Sequence, residues 1–255
     1  MAIVINGSGT VTGLSVGGLP DGTVDADTLA SGAVNSVTGN LTVSGDITGG
    51  NNGSIFLLDN AGQKSGQIQT DSSAANALQI DADPDNSNAD SYIGFRVDNS
   101  EKMRIDSIGA VTMPNQPAFL AELSTVQHNI ALNTAVKMLF STERFDQNSD
   151  FNTSTQTFTA PVTGKYQLNT YLRLQNVDTG SGYYHIYLIT SNRTYFDIIQ
   201  PVFTADVTYM NMTVNVLADM DANDTAIVYL YQSGGTAQTD IGYSNDSHFS
   251  GYLVC

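Results

Sequence analysis

The chain has 255 residues, one Cys and no Trp, and its 9 basic against 25 acidic side chains give a net charge of −16. Residues 1–63 and 194–255 hold no Lys or Arg, which excludes the clustered cations that nucleic-acid phosphates and anionic membrane surfaces require. One Cys cannot staple a fold, no apolar run reaches membrane-span length, and Met1–Ile5 is too short and lacks the basic start of a signal peptide, so the expectation is a soluble chain made in the cytoplasm.

Composition divides the chain at about residues 50 and 115. Residues 1–50 are Gly, Ser, Thr, Val and Asp with almost no aromatics. Short β-branched pieces such as Ile3–Ile5, Thr10–Thr12, Asn40–Ser44 and Asp46–Thr48 stop at Gly turns. Asp21–Leu29 has the pattern of one short helix starting near Asp27. Roughly 15 apolar side chains at about 2 kcal/mol each do not offset about 1–2 kcal/mol of backbone entropy for each of these residues. The segment is therefore disordered or ordered against another chain.

Residues 51–115 read as hairpin units of about ten residues. The strands are Ser54–Leu58, Gly66–Thr70, Ala77–Asp81, Tyr92–Val97, Lys102–Asp106 and Ala110–Met113. Residues 116–255 hold nearly all the Tyr and Phe and have the strand spacing of a β-sandwich. The expected strands are Pro117–Leu123, Thr134–Phe140, Thr155–Thr159, Lys165–Asn176, Tyr183–Thr190, Tyr195–Pro201, Tyr209–Ala218, Ala226–Gln232 and Phe249–Val254. No ten-residue helix fits. The expected class is all-β.

The third zone carries a spaced signature: Phe140, Asp146, Phe151, Phe158, Gly164 and Tyr166, with Phe249, Gly251 and Tyr252 near the end. It resembles the complement-one-q globular head, a relative of the tumour-necrosis-factor jelly roll. Two aromatic positions that close the family signature are Leu168 and Thr170 here. Leu217–Val228 is similar to the family's penultimate hairpin, turning at Asn223-Asp224. Gly164 is expected at positive φ after the Pro161 turn. The resemblance implies a homotrimer joined through an aromatic, apolar side of the sandwich. Ser100–Val111 and Asn40–Thr48 resemble fibre shaft sequence of marine and cyanobacterial phages. Together these imply a Gly-rich virion-anchoring segment (1–50), a β-rich shaft (51–115) and a jelly-roll head (116–255).

No nucleophile elbow or phosphate loop is present. His128, His185 and His248 fall in turn, strand and turn-to-strand segments, and none suggests catalysis. Two acidic clusters have the oxygen-rich composition that suits calcium: Asp81, Asp83, Asp85, Asn86, Asn88 and Asp90, and Asp219, Asp221, Asn223 and Asp224. Turn formation explains both as well, so metal binding stays open and no other cofactor is expected. If strands alternate in direction, the connections 124–133, 178–182, 203–208 and 233–247 share the end of the head away from the shaft. Asp178, Tyr183, Phe203, Tyr209 and Tyr243 lie in or beside them as receptor-binding candidates for a host glycan or protein. The same Tyr residues would equally fill a trimer interface. The first functional reading is a trimeric phage tail fibre, part of the virion, that attaches it to the host surface. The second is a head fibre or capsid decoration whose globular domain drives trimerisation. A polysaccharide-cleaving enzyme is a third, weaker class.

Overall fold

The computed structural model describes residues 4–5, 11–12, 54–58, 63–71, 77–243 and 246–255. The remaining readings for residues 1–50, including the short helix near Asp27, lie outside the described residues. The chain divides into two compact units, Met1–Ile55 with Ile68–Gln79, and Phe56–Gln67 with Ile80–Cys255. In the first, β1 (Val4–Ile5) pairs antiparallel with β2 (Val11–Thr12).

The expected hairpin strands are present as β3 (Ser54–Leu58), β4 (Lys64–Asp71), β5 (Ala77–Ala82), β6 (Ile93–Val97), β7 (Ser100–Ile105) and β8 (Val111–Thr112). Within the second unit, Gln67 Nε2 donates to Asp81 Oδ2 at 2.8 Å, and the Asp83 amide donates to Ser65 O at 3.1 Å. Strands β6, β7 and β8 form an antiparallel meander. Its turns suit their residues: Asp98 and Asn99 take positive φ between β6 and β7, and Gly109 does so between β7 and β8.

Pro117 begins the sandwich. One sheet runs β11-β9-β20-β14-β17, made of Phe140–Asp146, Ala118–Leu123, His248–Leu253, Gly164–Val177 and Val207–Met220. The facing sheet runs β12-β13-β18-β15-β16, made of Phe151–Asn152, Thr157–Thr159, Thr225–Gln232, Tyr184–Thr190 and Thr194–Ile199. Two short strands attach at the sides: β10 (Ala135–Lys137) on β18, and β19 (Asp240–Ile241) on β14. This is a jelly roll, and the all-β expectation holds.

Alternation drives the burial. In β14, Tyr166, Leu168, Thr170, Leu172 and Leu174 point inward and are buried, while Lys165, Gln167, Asn169, Tyr171, Arg173 and Gln175 face outward. Aromatics join the two sheets. Phe119 stacks on Phe151 and Phe158 with ring centroids 5.1 and 4.8 Å apart, and Phe249 meets it edge-on at 5.0 Å. Phe140 packs on Phe249, and Phe158 on Tyr166. The signature residues Phe140, Phe151, Phe158, Tyr166 and Phe249 are therefore core, whereas Tyr252 faces outward, half exposed. Leu168 and Thr170 are fully enclosed, and Thr170 Oγ1 donates to His248 O at 3.2 Å. Both positions are thus core without an aromatic ring.

Four expectations need correction. The stretch Thr134–Phe140 is not one strand: β10 joins one sheet and β11 begins the other at Phe140. Strand β11 was not expected at all, because Ser141-Thr142-Glu143-Arg144 shows no apolar alternation. It is an edge strand whose register shifts twice against β9, so bulges break its period. Leu217–Val228 is not a hairpin: β17 and β18 lie in different sheets, and the turn at Asn223 (φ 74°) carries the chain between them. Gly164 does not take positive φ; a Cβ there would lie 2.6 Å from Cys255 O and Leu253 Cδ1, so close approach of the last strand requires the glycine.

Phe119→Ala should destabilise the full chain by about 3–5 kcal/mol. Gly251→Ala, whose new Cβ would lie 2.6 Å from Leu168 Cδ2 and 2.9 Å from Phe119 Cε1, should cost about 1–3 kcal/mol. Urea unfolding followed by far-ultraviolet circular dichroism measures both.

Candidate binding surfaces of the sandwich

Antiparallel register fixes which connections share an end. Gly164 pairs with Met220 and Tyr166 with Leu253, while the Leu253 amide donates to Pro117 O at 3.1 Å. That end receives the chain from the meander. At the other end Val177 pairs with Val207, and His248 pairs with Tyr171 and Glu122. The connections after β9 and β14, before β17 and before β20 therefore meet there, as expected.

The loops are tied to each other. The Gln127 and Ile241 backbones exchange hydrogen bonds of 3.0 and 2.9 Å, and the Ile130 amide donates to Thr239 O at 2.9 Å. Asp240 accepts from the Asn129 amide at 2.7 Å and faces His128 Nδ1 at 3.1 Å. Thr179 donates its amide and hydroxyl to Asp206 Oδ1, both at 2.8 Å. Asn133 Oδ1 accepts from the Gly234 amide at 2.9 Å.

Asp178 is the hub of this end, and here the expectation is corrected. It is 2% exposed, so it is not presented to a ligand. Its carboxylate accepts from the amides of Ala237 (2.8 Å), Gly180 (2.7 Å) and Thr236, and the Tyr184 hydroxyl accepts the Asp178 amide at 2.9 Å. The Ala237 amide, followed by those of Gly180 and Thr236, holds the carboxyl below its ordinary pKa against the opposing effect of burial. Gly235 has φ 116° and lies against the same carboxylate, with no room for a Cβ. Asp178 organises the tip.

Three other candidates do reach solvent: Phe203, Tyr209 and Tyr243 are 41%, 57% and 49% exposed. Tyr209 lies under Arg173, whose guanidinium carbon is 4.9 Å from the ring centroid. Arg173 also pairs with Asp246, and its Nε is enclosed without a hydrogen-bond partner. Arg173 was absent from the candidates because a lone Arg in an alternating strand carries no motif.

Tyr183 belongs to a different surface, the outer face of the β16-β15-β18 sheet. It stacks on Tyr231 at 5.8 Å and meets His185 edge-on at 6.3 Å. His185 packs against Tyr187 at 4.0 Å and Phe196 at 4.8 Å. Tyr187 is paired in register with Tyr229 and Phe196, which continues the aromatic row across three strands. Phe196 and Ile198 are 60% and 48% exposed. His185 Nε2 has no hydrogen-bond partner, and burial lowers its pKa, partly opposed by Asp197. It is a partly exposed aromatic and apolar face of the sandwich. Its signal in the sequence was Tyr183-Tyr184-His185-Ile186-Tyr187, a strand with aromatics on both faces.

The acidic clusters are engaged in local structure. Asp83 accepts from the Ser87 amide and hydroxyl and from the Asn88 amide, and these bonds, led by Asn88, hold its pKa at about 2. Arg193 binds Asp219 through two bonds of 3.0 and 2.7 Å and holds it at about 2. Asp224 Oδ2 accepts from Asn192 Nδ2 and from the Asp221 amide. His248 stacks on Tyr171 with centroids 5.7 Å apart, and burial lowers its pKa.

The sequence model of the C1q domain family matches residues 118–254. The chain belongs to the C1q domain family. Among solved structures it is similar to the globular domain of zebrafish complement 1qA protein (18% identity, 55% of this chain and 98% of that one, TM-score 0.41). It is also similar to murine APRIL (9%, 55% and 99%, 0.41). A third is Eiger TNF from S. frugiperda (9%, 55% and 91%, 0.39). No curated protein matches. C1q-family domains are binding and structural domains rather than enzymes.

Replacing Asp178 with Asn should speed hydrogen exchange at the Gly180, Thr236 and Ala237 amides by about tenfold or more while leaving β14 and β17 unchanged. The native protein should lose the Asp178 contribution on acidification. Its folded pKa is lowered, so the contribution is complete above the ordinary Asp value and disappears as pH falls through the lowered one. Urea midpoints of native protein and Asp178→Asn across that window should converge.

Proposed function

We propose that this chain is a homotrimeric phage tail fibre that attaches the virion to the host cell surface through its C1q head. The observation that carries the reading is the meeting of four loops at the sandwich end remote from the meander, with Phe203, Tyr209 and Tyr243 exposed on a hydrogen-bonded scaffold. Exposed aromatics held rigidly lose little entropy on binding saccharide or protein. The resemblance of Ser100–Val111 to phage fibre shafts supports the virion setting. Homologues of the family are homotrimers, which supports assembly in threes. In this reading residues 1–50 join the tail, and the fibre is made in the host cytoplasm.

The charge shapes the mode of attachment. Each chain carries −16, so anionic envelopes repel the fibre at range. Recognition then relies on short-range polar and aromatic contacts, multiplied by three copies per fibre and several fibres per particle. A capsid-decoration reading draws on the aromatic face of Tyr183, His185, Tyr187 and Phe196, which suits assembly more than receptor capture.

The test uses fluorescently labelled full-length protein on marine bacterial and cyanobacterial isolates, with phage adsorption as the competed process. Saturable binding and competition on a susceptible strain support a tail-fibre role. Absence of both on every strain the phage infects, or a capsid position by electron microscopy, overturns it. The triple variant Phe203→Ala, Tyr209→Ala and Tyr243→Ala should compete at least about tenfold less well at unchanged oligomeric mass.

A further inference from the structure

The β6–β8 meander has two unlike faces. Pairing of Ile93 with Ile105, Phe95 with Met103, Val97 with Ser100 and Ile105 with Val111 places Ile93, Phe95, Val97, Met103, Ile105 and Val111 on one face. Gly94 opposite Arg104, Arg96 opposite Glu101 and Thr112 opposite Arg104 occupy the other. That second face is closed on itself. Arg104 makes two bonds to Glu101 at 2.9 and 2.8 Å and lies 3.8 Å from the Tyr92 ring centroid. On the first face Phe95, Val97 and Val111 are 47%, 57% and 52% exposed, while Ile93, Met103 and Ile105 are half-buried. Three short strands with one partly exposed apolar face are marginal in water. The neighbouring strands repeat the condition, with Leu57 61% and Ile80 52% exposed.

We propose that this apolar face is a self-association seam that packs against the same face of two further copies of the chain. The proposal rests on the homotrimer reading and extends it to a segment outside residues 118–254, which the family match covers. Charge selects the occupant. Residues next to a three-fold axis lie beside their own copies, so an ionised side chain there would face like charge. The chain carries −16, yet these six residues and Ser100, which pairs with Val97, are uncharged; Arg96, Glu101 and Arg104 lie on the other side, and Lys102 sits at the bulge between Glu101 and Met103. A face meant for a cationic partner would instead carry some of the 25 acidic side chains. Continuity points the same way. Only Met113–Gln116 separates β8 from Pro117, so a trimeric head would hold three meanders side by side at one height.

The experiment uses the full chain in a Cys255→Ser background. Val97→Cys on the apolar face and Arg96→Cys on the polar face are each treated with a short bis-maleimide after mass determination by light scattering. The expected result is a trimeric mass for both, with cross-linked copies at least about tenfold more abundant for Val97→Cys. A second variant, Phe95→Asp with Val97→Asp, should keep the trimeric mass while hydrogen exchange in residues 93–112 accelerates about tenfold or more. A trimeric mass with equal cross-linking from the two faces overturns the seam and leaves the homotrimer reading standing. A monomeric mass for the native chain overturns both.

Discussion

The sandwich depends on the aromatic packing around Phe119. This ring, on β9, stacks on Phe151 and Phe158 from the facing sheet and receives the edge of Phe249 from its neighbour β20. Offset stacking and edge contact each add about 0.5–1.5 kcal/mol beyond area burial. The cluster therefore fixes the separation and rotation of the sheets at this end, and the buried Leu, Ile, Val and Met side chains of β14, β15, β17 and β18 continue the core beyond it. It also sets local rules. A side chain at Gly251 would meet Leu168 and the Phe119 ring, and the Tyr166 hydroxyl donates to Val162 O at 2.8 Å.

From that anchored end, β14 and β17 run fourteen residues each to the loop end. A paired ladder of this length is a stiff lever. It transfers the order of the Phe cluster to a tip held by hydrogen bonds to Asp178, Asp206 and Asp240 and by the buried Ile130 and Ile241. One pair of strands thus has its aromatic core at one end and carries the loops at the other.

Period-two burial made much of this legible from the residues alone. In β17 the alternating Met212, Val214 and Val216 share one face, the first two buried and Val216 partly so, and the spacing from Phe140 to Tyr166 located the core aromatics. What stayed hidden had physical causes. Strand β11 is polar and bulged, so it has no period to read. Asp178 looked like a surface turn residue because nothing local announces that amides some sixty positions later converge on it. The outer aromatic face was concealed by a strand that is apolar on both sides, where alternation loses its contrast. The distribution of charge was visible as numbers, but the partition of the meander into a charged and an uncharged face required the pairing register.

The Asp178 hub has an evolutionary consequence. One carboxylate serves two segments distant in sequence, Gly180 on one side and Thr236-Ala237 on the other. Substitutions in either segment therefore act on a shared partner, and their effects are not additive. A changed loop arrangement at this tip would arise most readily through coordinated replacement of both segments. A lineage that retains the hub can diversify its exposed Phe and Tyr freely, while one that loses it must rebuild both segments together.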